Sequence, residues 1–91
     1  MLDEDNCRYL HKGRIISLSK KETRMLYFLI YYKGGVALYE PLVEFVFKQK
    51  YDTHNHNCMC VMIHKIRKKM QGIIEIKNHC FKGWKIKYIG E

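Results

Sequence analysis

Residues 18 to 29 read LSKKETRMLYFL, and this stretch predicts the start of a helix. Ser19 and Glu22 have the S-x-x-E spacing of a capping box, in which each side chain accepts a hydrogen bond from the other residue's amide. Apolar residues then recur at helical spacing, at Met25, Leu26, Leu29 and Tyr32. Gly34 and Gly35 supply a stop. The stretch therefore predicts an amphipathic helix over about residues 20–33.

Two further helices are predicted downstream. Over about residues 39–48, Leu42, Val43 and Val46 form one apolar face, and the single proline, Pro41, falls in the first turn, where its missing N–H costs nothing. A third helix over about residues 55–71 has an inward stripe that steps by four, three and four residues and ends before Gly72. The stripe consists of Met59, Ile63, Ile66 and Met70.

The apolar period changes to two after Gly72, which predicts a β hairpin over residues 73–89. Its apolar residues are Ile74, Ile76, Trp84, Ile86 and Tyr88, and its loop runs from His79 to Gly83, with Gly83 available for a positive φ. Residues 7–18, with Lys12-Gly13 in the middle, predict a second short hairpin at the N-terminus. The predicted order is β hairpin, three helices, β hairpin.

This order and three motifs resemble the OmpR/PhoB-type winged-helix domain, the DNA-binding module of many two-component regulators and of ToxR/CadC-like activators. Residues 18–29 resemble the family's L-[ST]-x-x-E-x-x-L-L-x-x-L helix, and residues 61–70 resemble its V-x-I-x-x-L-R-x-K-L recognition helix. Between them, G-x-V-x-x-x-E-x-L-x-x-x-V-W is matched by Gly34, Val36, Glu40, Leu42, Val46 and Phe47. The resemblance implies one α+β domain over residues 1–91, with a winged helix-turn-helix fold and a C-terminal hairpin as the wing.

Three positions depart from the family pattern. Cys80 stands where the wing commonly has a basic residue, and Phe81 replaces a glycine. Leu38 stands where a serine or threonine usually caps the second helix, so that this helix end lacks a side-chain cap.

The charge balance favours a polyanionic partner. The chain has 17 Lys and Arg against 9 Asp and Glu, a net charge of +8, and most of the basic surplus lies in the C-terminal half. No secretory leader or membrane-spanning stretch is evident, so the four cysteines are expected to be reduced thiols in a cytoplasmic chain.

Helical geometry of about 100° per residue divides the third helix into two arcs. The arc opposite the apolar stripe carries His54, Asn57, Cys58, Val61, His64, Lys65 and Lys68, with Met62 at its edge. The resemblance makes this helix the one that enters the major groove of DNA, where lysine, histidine and asparagine can bond base edges and apolar side chains can contact thymine methyls. Asn55 or Asn57 can cap the helix.

The resemblance then assigns expected contacts with double-stranded DNA. Those nearest the bases are Asn57, Cys58, Val61, Met62, His64 and Lys65, while Lys68 contacts phosphate. Lys48 and Lys50 contact phosphates ahead of the helix, and His79 and Lys82 of the wing reach the minor groove or backbone. Arg67 lies near the inward stripe, so it either contacts phosphate or pairs with a carboxylate such as Glu22 or Glu44.

Residues 54–60 read HNHNCMC, which has the residue types of a metal site. On a helix, however, His54 and Cys58 point outward while His56 and Cys60 lie on the inward flank, so the four cannot close one tetrahedral site. We therefore expect no structural zinc and no cofactor, although the pairs can bind Zn, Cu or Ni adventitiously. Cys60 and His64 have no matched acid or oxyanion loop, so no enzymatic activity is expected.

The sequence thus predicts a bacterial transcription regulator that binds specific double-stranded DNA. Two alternatives stay open: a winged-helix module for protein interaction, or the N-terminal fragment of a membrane-anchored ToxR-like activator that extends beyond residue 91. RNA polymerase or a regulatory protein is a possible further partner, and dimerisation on repeated sites is a possible mode of control. Association with the nucleoid is the expected location.

Overall fold

The computed structural model of the protein describes residues 1–32 and 35–89. In chain order the elements are β1 (Leu2–Asp3), β2 (Arg8–His11), β3 (Arg14–Ser17), α1 (Lys20–Tyr31), β4 (Ala37–Leu38), α2 (Tyr39–Phe47), α3 (Thr53–Lys69), β5 (Ile74–His79) and β6 (Gly83–Tyr88). The predicted order of hairpin, three helices and hairpin is confirmed. The short strands β1 and β4 are additions that the sequence did not predict.

The N-terminal sheet is antiparallel, in the order β1-β2-β3. Its β2–β3 turn has positive φ at Lys12 (45°) and Gly13 (81°), the pattern of a type I′ turn, which suits the twist of a two-residue hairpin. Tyr9 and Ile16 are paired across these strands and are both buried against the helices. The sheet thus covers one side of the core.

Helix α1 begins as predicted, because the complete capping box is present. Ser19 Oγ accepts from the Glu22 amide at 3.1 Å, and Glu22 Oε1 accepts from the Ser19 amide at 2.8 Å. The helix ends at Tyr31, and residues 33 and 34 of the predicted end lie outside the described residues. Gly35 follows with a φ of +79°, which glycine adopts without a steric penalty.

Helix α2 has Pro41 in its first turn, as predicted, and no side-chain cap at Leu38. A backbone contact holds this end of the helix, because the amide of Tyr39, the first helical residue, donates to the Lys82 carbonyl of the hairpin loop at 3.1 Å. The helix ends at Phe47, where Lys48 adopts a left-handed conformation with a φ of 55°.

Helix α3 begins at Thr53, two residues earlier than predicted. Asp52 is the cap, since its carboxylate accepts from the Asn55 amide at 2.8 Å, so the expected cap at Asn55 or Asn57 is wrong. The Asn55 side chain is buried and donates to the Lys50 carbonyl at 2.8 Å. The inward stripe is confirmed, because Met59, Ile63, Ile66 and Met70 are fully buried.

The second sheet has the order β4-β6-β5, with β6 antiparallel to both neighbours. In its loop the positive φ angles are at Cys80 (51°) and Phe81 (53°), so the predicted role of Gly83 in the turn is wrong. Gly83 is instead required by close approach: a Cβ there would lie 2.3 Å from the Ala37 carbonyl oxygen of β4. No sequence pattern indicates this constraint, because β4 has only two residues.

The core lies between the three helices and the two sheets. Its largest fully buried side chains are Met25, Leu26, Leu42, Met59, Ile63, Ile66 and Met70. Trp84 of β6 joins them, and its Nε1–H points at Met59 Sδ at 3.4 Å. Of the helices described, none is both long and apolar enough to cross a membrane.

Gly83→Ala should destabilise the protein by about 3 kcal/mol, because the added methyl group collides with rigid backbone. Gly13→Ala is the matched control: its Cβ would have nothing within 4 Å, so only the positive φ adds a penalty, about 1–2 kcal/mol. Urea unfolding of the two variants measures the difference. Equal losses of stability would contradict the close approach of β6 to β4.

Candidate nucleic-acid interface

The outward arc of α3 is exposed over its length. His54, Asn57, Val61, His64, Lys65 and Lys68 are exposed, and Cys58 and Met62 are half-buried along one edge. Val61 is 56% exposed although it is aliphatic and lies at the centre of the arc. The arc therefore offers cationic, hydrogen-bonding and apolar groups together, as a surface that reads base edges requires.

The half-buried edge of this arc forms one wall of an open groove of about 830 Å³. The α3 wall consists of His54, Asn57, Cys58, Val61, Met62, Lys65, Lys68 and Lys69. The other wall comes from the first turn of α1, with Ser19 and Lys21, and from Phe47 at the end of α2. The Lys21 ammonium lies 5.3 Å from the centre of the Phe47 ring, which places a further cation beside the arc.

Sequence reasoning missed this second wall. Lys21 and Phe47 are far from α3 in the chain, and only the packing of α1 and α2 against α3 brings them beside it. Six of the residues predicted to contact DNA line the groove: Asn57, Cys58, Val61, Met62, Lys65 and Lys68. His64 lies on the exposed arc beyond it.

The remaining predicted contacts lie elsewhere on the surface. Lys48 and Lys50 are exposed in the segment between α2 and α3, beside Glu44 and Phe45. His79 and Lys82 are exposed at the tip of the β5–β6 hairpin, where Lys82 lies beside the first turn of α2. The predicted basic contacts thus line three different concavities, and Glu44 borders the two that lie away from the α3 groove.

Glu22 fixes the position of α3 against α1. Its side chain is 5% exposed and accepts from Lys69 Nζ at 2.7 Å, while the same ammonium donates to the Ser17 carbonyl at 3.2 Å. Burial raises the pKa of Glu22, but the hydrogen bonds from Lys69 and the Ser19 amide outweigh burial, so the net pKa lies below its ordinary value. Glu22 is therefore a carboxylate, and it holds the C-terminal end of α3.

The sequence predicts that Arg67 contacts phosphate or a carboxylate, but the structure shows its guanidinium on a backbone carbonyl. Its Nε and one terminal nitrogen donate to the Ile76 carbonyl of β5 at 2.9 and 2.6 Å, and its guanidinium lies 5.2 Å from the centre of the Trp84 ring. The carboxylate of Glu22 pairs with Lys69 instead. Arg67 thus ties the hairpin to α3 through a backbone oxygen, which no sequence pattern identifies.

The four side chains of the HNHNCMC stretch form two separate pairs. Cys58 Sγ lies 3.7 Å from His54 Nε2 on the exposed arc, and Cys60 Sγ lies 3.6 Å from His56 Nε2 on the opposite flank. The predicted division between two faces is confirmed. Over residues 1–32 and 35–89, no group of three or more His, Cys, Asp or Glu side chains is placed to hold a metal ion.

The chain is similar to a known protein family and to a solved structure. The profile of the family described as "Transcriptional regulatory protein, C terminal" matches residues 13–84. The chain belongs to this family. The crystal structure of the DNA-binding domain of Bacillus subtilis CssR is similar, with a TM-score of 0.78, 23% sequence identity, and coverage of 96% of this chain and 98% of that one. No curated protein sequence matches.

The CssR likeness confirms the α+β winged-helix fold, with the β5–β6 hairpin in the position of the wing. The match to the transcriptional regulatory family runs from the β2–β3 turn to Trp84, and so includes all three helices and both walls of the groove. The family is one of transcription regulators, which is not a class of enzymes.

Glu22→Gln should lower the free energy of unfolding at neutral pH by about 1.5–3 kcal/mol, because a hydrogen-bonded charge is lost. A carboxylate with a depressed folded pKa stabilises the protein above its unfolded pKa of about 4.3, and this contribution is lost as the pH falls through the folded pKa. The wild type should therefore lose stability below about pH 4.3 more steeply than Glu22→Gln, as urea unfolding across pH would measure.

Glu75→Gln is the control for this experiment. Glu75 pairs with Lys77 at 3.2 Å, but the side chains are 43% and 62% exposed, so the pair contributes little to stability. If Glu22→Gln and Glu75→Gln changed the pH dependence of the unfolding free energy equally, the buried Glu22 carboxylate would not have the stabilising role given to it.

Proposed function

We propose that this protein binds specific sequences of double-stranded DNA as a bacterial transcription regulator, with α3 in the major groove. The observation that carries the proposal is the exposed arc of α3, where Lys65 and Lys68 flank the exposed Val61 while the opposite face is fully buried. A merely solvated face gains nothing from an exposed aliphatic side chain, whereas a thymine methyl gives it a partner. Membership of the transcriptional regulatory family supports the same function.

Within the arc, the residue types suggest a division of roles. Asn57, His64 and Lys65 have donors or acceptors for base edges, and Val61, Met62 and Cys58 supply apolar contact. Lys68 is nearer the C-terminal end of the helix and suits a phosphate. Lys21, across the groove, is a further phosphate contact that only the folded structure suggests.

The two outlying patches extend the contact along the duplex. His79 and Lys82 at the tip of the hairpin reach the adjacent minor groove or its backbone, and Lys48 and Lys50 contact phosphates before α3. These contacts carry little sequence information and position the protein. The related CssR structure is that of a DNA-binding domain, which supports this use of the fold. The protein acts in the bacterial cytoplasm, on the nucleoid, unless a longer native chain tethers it to a membrane.

Binding to DNA is tested by an electrophoretic shift assay with a random duplex over a range of salt concentrations. Phosphate contacts release counterions, so the affinity should fall steeply as salt is added. The logarithm of the association constant should fall by about 0.9 for each phosphate contact and each tenfold increase in salt concentration. A selection from a random pool should then enrich a defined site. A flat salt dependence together with no enriched sequence would overturn the proposal.

Lys65→Ala should reduce discrimination between the selected site and random DNA, by about 1–3 kcal/mol if the lysine bonds a base edge. Lys82→Ala should weaken binding to both duplexes equally and lower the salt slope by about one. The shift assay on both duplexes measures the two effects. Lys20→Ala is the control, because Lys20 faces the concavity that Glu4 and Asp5 line. Equal losses on both duplexes for Lys65→Ala and Lys82→Ala would contradict the division of roles.

A second candidate function is protein interaction, which an exposed aromatic cluster favours. Tyr31 is 60% exposed and Phe45 is 40% exposed, and both contact Tyr27 on the outer side of α1 and α2. Exposed aromatic side chains are typical of interface centres. The candidate partners are RNA polymerase, a regulatory protein, or a second copy of the chain on repeated DNA sites. Sedimentation with and without the selected duplex tests the second copy.

A further inference from the structure

The two cysteine–histidine pairs of α3 have the spacing of metal chelates. Zinc bonds of about 2.3 Å to sulfur and about 2.05 Å to nitrogen, at a tetrahedral angle, place the two ligand atoms about 3.6 Å apart. The observed separations are 3.6 Å for Cys60 Sγ and His56 Nε2, and 3.7 Å for Cys58 Sγ and His54 Nε2. Each pair therefore already has the ligand separation that a zinc chelate requires.

The pairs differ in how the imidazole is held. His56 is half-buried, its Nδ1 is hydrogen-bonded to the Tyr51 hydroxyl at 2.8 Å, and the Tyr39 ring packs edge-on at 5.0 Å. His54 is exposed, and its hydrogen bond is the one to Cys58. A metal-binding histidine commonly has its other ring nitrogen bonded to a protein group, which fixes the tautomer and the ring orientation. His56 has this arrangement, with Nε2 directed at the thiol.

Tyr51 suits the role of that outer partner. Its hydroxyl can accept a hydrogen bond from Nδ1–H of His56, which leaves Nε2 as the nitrogen without a proton. Glu40 lines the same concavity as Tyr39 and Tyr51, and its negative charge favours a cation there.

We propose that His56 Nε2 and Cys60 Sγ are the protein ligands of an exchangeable site for a thiophilic divalent ion such as Zn²⁺, and that Tyr51 orients His56. Two waters of the hydrated ion are displaced, the thiol proton is released to solvent, and retained waters complete the coordination. The ion leaves Val61, Lys65 and Lys68 of the exposed arc uncovered and borders the arc at Asn57 and His64. The proposal does not rest on the proposed function.

Titration with Co²⁺ tests the site, because thiolate coordination gives a sulfur-to-cobalt charge-transfer absorption. The reduced wild type should show this band at one ion per chain, and excess Zn²⁺ should abolish it. Cys60→Ser should eliminate the band, whereas Cys58→Ser should retain it. Tyr51→Phe should retain the band but weaken the affinity by about tenfold, because the outer hydrogen bond is lost. Thermal unfolding without metal checks that each variant is folded.

Three results would overturn the proposal. The first is the absence of a charge-transfer band in the wild type. The second is its loss in Cys58→Ser and retention in Cys60→Ser, which would assign the ion to the exposed pair. The third is an affinity that Tyr51→Phe leaves unchanged, which would reduce the binding to an adventitious chelate. If Cys60→Ser is unfolded, Cys60→Ala takes its place and should also lack the band. The folded Tyr51→Phe variant should still bind Co²⁺ more weakly than the wild type.

Discussion

The arrangement of the helices depends on one buried carboxylate. Glu22 closes the capping box of α1 through the Ser19 amide and accepts from Lys69 at the end of α3. A buried carboxylate needs both partners, because an unpaired charge in this position would be strongly destabilising. Lys69 faces α1 in the same rotation of α3 that buries Met59, Ile63, Ile66 and Met70. This rotation turns Val61 and Lys68 toward solvent, so the Glu22–Lys69 pair and the buried stripe agree on which residues form the exposed arc.

Much of this fold could be predicted because its signals are local. The capping box and the apolar stripe of α3 lie within single turns or regular steps, and both are present as predicted. The errors concern residues whose partners are distant in the chain. The sequence predicts a turn role for Gly83, but the close approach of Ala37 is what requires this glycine. It predicts a carboxylate or phosphate partner for Arg67, but Arg67 donates to the Ile76 carbonyl. Neither partner can be read from local sequence.

The candidate site shows the same limit. Helical phase was enough to predict the exposed arc and to divide the two cysteine–histidine pairs between two faces. It could not predict the facing wall with Lys21 and Phe47, which depends on how three helices pack. Helical phase also could not show which histidine has a second hydrogen bond, because that bond comes from Tyr51 in the loop before α3. The position of a residue on a helix determines whether it is exposed, whereas contacts with other elements determine what its side chain can bind.

The departures from the family pattern meet at one place in the structure. Leu38 gives α2 no side-chain cap, and Phe81 puts a side chain where a glycine would adopt a positive φ without strain. The Tyr39 amide, at the first position of α2, donates to the carbonyl of Lys82, the residue after Phe81. The strained turn therefore supplies an acceptor to this helix end, at a cost of about 1–2 kcal/mol for each left-handed residue. This bond joins the tip of the wing to α2, and β4 pairs with β6 at Ala37 and Leu38, so the wing is tied to the helices beside the residues that begin α2.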